Sequence, residues 1–212
     1  HVAAVVQKSI DPWRQADGMF DITVQPLVQA WGFSAKSVKK YPDSAKVRSL
    51  LQCIGTDKIK LEGHRLIKTK PCITIDVDGI AQGYSVDVVA NFLEQQHITD
   101  YVVEIGGEIS VKGRKKPGNE KMKIGIEAPG DYEFESPVIQ KIIVIDEGAV
   151  TTSGNYRKYH ESNGEKFSHT IDPRSGYPTK NELISVTVFA RDAITADAYD
   201  NVLMTLGLKK AL

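Results

Sequence analysis

Apolar positions at Val2, Val5, Val6, Ile10 and Trp13 trace an approximate helical stripe over residues 2–17. From Gly18 to Phe33 no such period holds; the segment is rich in aromatic and small residues, with Phe20, Pro26, Trp31 and Gly32. A short helix is predicted through Leu51 and Cys53, with Ser44 as its cap. From Lys58 the period falls to two. Ile59, Leu61, Leu66 and Ile67 flank Glu62-Gly63-His64, which predicts a hairpin. Ile73, Ile75 and Val77 alternate with Thr74, Asp76 and Asp78, which predicts a strand with one polar face. Residues 80–97 return to helical spacing, with Ala81, Tyr84, Val88, Val89, Phe92 and Leu93 on the expected apolar face. Strands are expected at 101–105, 109–112, 122–127, 141–146, 167–171 and 183–190, and a last helix at 194–206. Helices and strands mix without regular βαβ alternation. The pattern therefore argues an α+β fold with mixed or antiparallel sheets and packed helices.

Composition narrows the classes. The 212 residues are 41% hydrophobic and 25% charged, enough to bury a core and too apolar for disorder. Lys+Arg and Asp+Glu balance at 27 each, so no net field recruits nucleic acid or an anionic membrane. No apolar run approaches the ~20 residues of a membrane span. Cys53 and Cys72 lack a CxxC neighbour and read as small core residues. The loop from Lys112 to Lys123 has five Lys and one Arg but no interleaved aromatics, and reads as a solvated hairpin loop. The chain begins at His1 without a methionine, already in helical pattern, and is read as a trimmed single domain over residues 1–212.

Four segments carry chemistry. In Asp76-Val77-Asp78-Gly79-Ile80-Ala81-Gln82-Gly83-Tyr84 a strand delivers two carboxylates, breaks at Gly79 and opens a helix. Small residues there let a ligand approach the backbone, and the helix N-terminus suits phosphate; an ordinary turn capped by Asp78 reads equally well. Glu104-Ile105-Gly106-Gly107-Glu108 reads first as a tight bend between strands. The third segment runs from the hydroxyl-rich Thr151-Thr152-Ser153-Gly154-Asn155-Tyr156-Arg157 to Ser168-His169-Thr170-Ile171-Asp172-Pro173-Arg174-Ser175-Gly176. His169 beside Asp172 is a candidate proton carrier. In the fourth, Asp197 and Asn201 lie four apart on one helical face, with Asp200 three from Asp197. Oxygen side chains converging in this way suit a hard cation such as Mg²⁺.

Taken together and in this order, the segments resemble the ApbE family of FAD:protein FMN transferases. Gly18-Met19-Phe20-Asp21-Ile22-Thr23-Val24-Gln25-Pro26-Leu27 with Trp31-Gly32-Phe33 is similar to that family's first pattern. Asp76 to Tyr84, Gly106-Gly107-Glu108, Thr152 to Arg157, Ser168 to Gly176 and Ala196 to Asn201 are similar to the next five. The resemblance implies an α+β, T-fold-related flavin transferase fold. It implies that FAD and Mg²⁺ bind, that the pyrophosphate is cleaved, and that the FMN half passes to a Thr or Ser hydroxyl of an acceptor protein. Acceptors of the family are subunits of membrane redox pumps of the sodium-pumping NADH:quinone oxidoreductase and Rnf types. An extracytoplasmic place, in the periplasm or on a lipid anchor, is implied too, with membrane contact only through an anchor outside these residues.

Carried onto this chain, the resemblance implies a cation held by Asp197, Asn201 and the Gly79 carbonyl. FAD would contact Phe20, Asp21, Asp76, Gly79, Ile80, Ala81, Gln82, Ser153, Gly154, His169 and Ile171, and His169 steered by Asp172 would deprotonate the acceptor. Three departures are expected to matter. Gln82 stands where the family has Lys, and Asn201 where it has a metal-binding Thr. The N-terminal segment that walls the flavin and the usual C-terminal tail lie outside residues 1–212. Two other readings share the segments: an FAD pyrophosphatase releasing AMP and FMN, and a non-catalytic FAD-binding protein.

Overall fold

The computed structural model describes residues 1–212 except 35–37, 39, 131–137, 156–158 and 163–164, and leaves aside the side chains of 159–162 and 165–167. In chain order the elements are α1 (Val2–Gln15), α2 (Gln25–Ala30), α3 (Ser44–Leu51), a 3-10 turn (Thr56–Lys58), β1 (Ile59–Glu62) and β2 (Arg65–Lys68). Then come α4 (Asp78–Gln95), β3 (Tyr101–Ile105), β4 (Glu108–Lys112), β5 (Met122–Glu127) and β6 (Ile139–Ile145). The chain closes with β7 (Glu147–Gly154), β8 (Tyr159–Ser162), β9 (Glu165–Ser168), β10 (Ser185–Ala190), α5 (Ala193–Leu206) and α6 (Leu208–Ala211). These elements form two compact units, each discontinuous in sequence: His1–Asp78, Lys158–Glu182 and Val202–Leu212 make one, Gly79–Arg157 and Leu183–Asn201 the other.

In the first unit, Leu27, Trp31, Val47, Ile54 and Ile171 form the core, with Leu50 and Leu51 against it. The Trp31 indole donates to the Gly176 carbonyl at 2.8 Å, so this large ring is buried with its polar edge satisfied. Gly176 has φ +78, and a Cβ there would lie 2.6 Å from Val47, so the turn demands glycine twice over. The cap of α3 is Asp43, which accepts from the Lys46 amide, rather than the expected Ser44. The hairpin expected near 59–67 is present, pairing Ile59 with Lys68. The strand expected at 73–77 is absent: the segment joins no ladder, and the Asp76 amide donates instead to the Ile22 carbonyl. The strand expected at 167–171 ends at Ser168, with only an isolated bridge from Ile171 to Pro178.

Cys53 and Cys72 are joined by a disulfide. This corrects the reading of two separate core thiols. The β1–β2 hairpin lies between them in the chain, and pairing its strands draws its two flanks together.

The second unit is built on an antiparallel sheet in the order β10-β7-β4-β3. On one face Tyr101, Val103 and Ala149 pack against Val86 and Ala90 of α4 and Ala193 of α5. On the other, Val111 and Val150 pack against Ile124 and Ile145 of the β5–β6 hairpin. Strand β7 was not expected; its hydroxyl run hid a strand whose every second residue faces the helices. The buried face of α4 also differs from expectation. Ile80, Gly83, Val86 and Ala90 are buried, whereas Val88, Val89 and Phe92 are exposed. A Cβ on Gly83 would sit 2.3 Å from the Ala193 carbonyl oxygen, so the two helices meet where one residue has no side chain. Asp87 of α4 completes the junction by accepting from the Ala193 and Ile194 amides, capping α5. The basic loop after β4 is solvated as expected, with Arg114 and Lys121 on Asp146 and Lys116 on Asp100.

Candidate metal centre

The period of two in the second unit's sheet decides which side chains meet α5. Glu108 opens β4, and Thr151 and Ser153 share the helix-facing side of β7 with Ala149. From α5, Asp197 and Asp200 project toward the same place. One carboxylate oxygen from each of Glu108, Asp197 and Asp200 lies within 4.8 Å of the others. All three side chains are buried, at 8%, 3% and 0% exposure. Three carboxylates this close, away from water, resist carrying three charges at once.

Burial, with the charges of Asp197 and Asp200 behind it, pushes the Glu108 carboxyl up to about 9. Asp200 is pushed up to about 8, again mainly by burial and then by Asp197. Asp197 reaches only about 6, because the Gly83 amide donates to it at 2.8 Å and opposes the effect of burial. Ser153 donates to Asp200 Oδ1 at 2.8 Å. Glu108 Oε2 and Asp200 Oδ2 are buried with no hydrogen-bond partner. Orphaned oxygens in an all-oxygen cluster fit a hard divalent cation, which would supply the missing positive charge.

The α4 backbone adds a fourth oxygen. Gly79 breaks the helix at φ −83 and ψ 19. Its carbonyl lies 3.4 Å from Asn201 Nδ2. Spacing pointed to Asp197 and the resemblance added the Gly79 carbonyl; Asp197 is one of the three clustered acids, and Gly79 O faces the Asn201 amide. Asn201 is there too, but its amide nitrogen faces the oxygens: Nδ2 donates toward Asp197 O (3.0 Å), Asp197 Oδ1 (3.4 Å) and Asp200 Oδ1 (3.0 Å). Glu108 was read as part of a bend, and Asp200 as an oxygen beside Asp197 and Asn201 that the expected metal set left out. Their signal was acidity at positions where a strand and a helix turn inward.

The remaining candidates divide between the units. Ile80, Ala81, Gln82, Ser153 and Gly154 belong to the second, with the carboxylates. Gln82 donates to the Ile105 carbonyl at 3.1 Å and covers the Gly106-Gly107 turn, where a Cβ on Gly106 would collide with it. It thereby braces the turn that leads into Glu108. Phe20, Asp21, Asp76, His169, Ile171 and Asp172 belong to the first unit. Asp21 is buried and accepts from the amides and hydroxyls of both Thr23 and Thr56. Asp76 accepts from the Asp78 amide, and burial raises its carboxyl. The His169 ring stands edge-on to Phe33, with centroids 6.5 Å apart. Asp172 accepts from the Arg174 and Ser175 amides, bracing its own turn. Tyr156 and Arg157 lie outside the described residues.

Fold and site define an α+β protein with a buried cluster of oxygen donors where two helix starts meet a sheet. The model of the ApbE family matches residues 1–212, and the chain belongs to that family. A FAD:protein FMN transferase of Vibrio cholerae is 37% identical over 209 residues, covering 98% of this chain and 61% of the relative. One of Haemophilus influenzae is 37% identical over 215 residues, covering 99% and 61%. The Pseudomonas stutzeri flavinyl transferase ApbE, in its apo form, superposes with a TM-score of 0.87 at 35% identity, covering all of this chain and 64% of that one. The flavin transferase ApbE from Vibrio cholerae gives a TM-score of 0.84 at 35% identity, covering 98% and 65%. The α+β, ApbE-like fold expected from the sequence is thus established. The chain spans about three fifths of the length of these curated relatives.

Proposed function

We propose that this chain carries the core of an FAD:protein FMN transferase that works with Mg²⁺. The observation that carries the reading is the buried oxygen cluster of Glu108, Asp197 and Asp200 with the Gly79 carbonyl beside it. These residues would hold the cation, and a bound Mg²⁺ neutralises charge on pyrophosphate oxygens. The names of the relatives support the substrate and the reaction class. In the proposed reaction the acceptor Thr or Ser oxygen bonds to the phosphorus of the FMN half. The bond from that phosphorus to the bridging oxygen breaks, AMP leaves, and the hydroxyl proton passes to His169. An imidazole accepts a proton readily near neutral pH. Asp172 would fix the turn that follows His169 rather than move a proton itself. Phe20, Asp21, Asp76, Ile80, Ala81, Gln82, Ser153, Gly154 and Ile171 are proposed to line or support the FAD site.

The proposed acceptor is a subunit of a membrane redox complex, of the NADH:quinone oxidoreductase or Rnf type. An extracytoplasmic location is proposed with it, and the Cys53–Cys72 disulfide supports that location, because such bonds persist in oxidising compartments. The test is mass spectrometry of the protein incubated with FAD, Mg²⁺ and a Thr-containing acceptor fragment. The expected result is an acceptor mass gain equal to FMN that chelation abolishes. AMP and free FMN without modified acceptor would replace transfer by hydrolysis, and intact FAD would reduce the protein to a binder.

A further inference from the structure

We propose that the Asn201 amide is a built-in occupant of the cation site, standing in for the metal when none is bound and competing with it when it arrives. The inference rests on reading the carboxylate cluster as a cation site. Its own observation is the crowding around one nitrogen. Asn201 Nδ2 has four oxygens within 3.0–3.4 Å: Gly79 O, Asp197 O, Asp197 Oδ1 and Asp200 Oδ1. An amide NH₂ has two hydrogens to give. Four acceptors drawn from three residues and two helices converge on it as oxygens converge on a cation.

The backbone is shaped for this approach. A Cβ on Gly79 would lie 3.2–3.4 Å from the Asn201 amide atoms, so any larger residue there would press on it. The cluster nevertheless remains short of donors, since Glu108 Oε2 and Asp200 Oδ2 are buried and orphaned. The amide therefore offsets part of the missing positive charge and leaves room for a stronger partner. Because it carries no formal charge, a divalent cation displaces it, but only after the amide withdraws. The apparent affinity for the cation is then reduced by the fraction of time the amide is withdrawn. Asn201 becomes an affinity-setting residue that keeps the cation-free protein folded.

The test is calorimetric titration with Mn²⁺ alone, with thermal melting in EDTA, on the parent, Asn201→Ala and Asn201→Asp. Removing the amide should raise Mn²⁺ affinity about tenfold in Asn201→Ala, the gain expected if the amide is withdrawn about a tenth of the time. The same variant should melt lower than the parent in EDTA and recover with Mn²⁺. Asn201→Asp should bind tighter still, and its melting in EDTA should fall further because a fourth carboxylate joins the cluster. If Asn201→Asp does not fold without metal, Asn201→Ala decides alone. Weaker Mn²⁺ binding by Asn201→Ala, or an unchanged melting temperature in EDTA, overturns the inference and makes Asn201 an ordinary ligand or bystander. Absence of Mn²⁺ binding by all three folded proteins removes the cation reading itself.

Discussion

Each unit of this protein buries carboxylates, and the two treat them in opposite ways. In the first unit Asp21 is sealed from water at 6% exposure, yet four donors from Thr23 and Thr56 converge on its two oxygens. Both oxygens have donors, and the result is a clamp between residues 21–23 and 55–56. In the second unit Glu108, Asp197 and Asp200 are equally buried but short of donors, and two of their oxygens have none. A satisfied buried acid is scaffolding; an unsatisfied group of them is waiting for positive charge. The same residue type thus reads as structure or as site according to its donors.

The sharpest way to break the comparison is to remove one acid from each unit. Asp197→Ala should lower the proposed Mg²⁺-dependent flavin transfer by roughly a hundred- to thousand-fold, the scale of losing a preorganised electrostatic group, while far-UV circular dichroism stays that of the parent. Asp21→Ala should act on stability rather than on cation binding. It leaves two buried amides and two hydroxyls unpaired, which costs on the order of 2–4 kcal/mol in chemical denaturation and leaves Mn²⁺ affinity unchanged. If Asp21→Ala weakened Mn²⁺ binding as Asp197→Ala does, the division between clamp and site would fail.

Redox probes the clamp from its other side. The Cys53–Cys72 bond closes a 19-residue separation across the β1–β2 hairpin. Opening a loop of this length by Cys53→Ser with Cys72→Ser should cost about 3 kcal/mol, read as a lower denaturation midpoint. Cation affinity should not follow, because the cluster belongs to the other unit.

Acidity sharpens the comparison further. The carboxyls of Glu108, Asp200 and Asp197 are raised to about 9, 8 and 6, so the folded, cation-free protein holds protons that the unfolded chain gives up near pH 4. Stability from these protons is full below the unfolded value and is lost as pH rises through 6 to 9. The melting temperature in EDTA should therefore fall from pH 6 to pH 9. Mn²⁺, which binds the deprotonated forms, should bind more tightly over the same range and flatten that decline. A melting temperature in EDTA that rises over this interval would show that the acids are already paired.

Much of this was legible in the residues. The hairpin at 59–68, the strands β3 to β6 and the helix carrying Asp197 follow from the spacing of apolar residues between turns, although Ile142 and Val144 of β6 stand exposed. The buried face of α4 did not, because Gly83 and Asp87 mark the contact beside Ile80 and Val86, while Val88, Val89 and Phe92 stay exposed. Hydropathy weighs large side chains, whereas close helix packing and capping use an absent side chain and a charged one. Strand β7 was masked for a related reason: Thr151 and Ser153 face the helices, Ser153 as a donor to Asp200, so the alternation carries little apolar signal on that side. Glu108 was hidden by its glycines. The disulfide was out of reach of spacing rules, although the expected hairpin already brings its flanks together.

The smallest effect tests how the site is supported. Gln82 takes the place where the resemblance expects a lysine, yet its amide donates to the Ile105 carbonyl over the Gly106-Gly107 turn. That contact holds the turn from which Glu108 enters the cluster, so Gln82 acts on the cation through the backbone. Gln82→Ala should cost about 1 kcal/mol of stability, the worth of one such hydrogen bond. Mn²⁺ affinity should fall only a few-fold, as the turn relaxes and Glu108 is held less firmly. Gln82→Lys keeps a donor of similar reach and should restore both values toward the parent. A large loss of Mn²⁺ affinity in Gln82→Ala with no change in stability would instead place the Gln82 side chain among the donors themselves, and the support would have to be sought in Ser153 and the Gly83 amide alone.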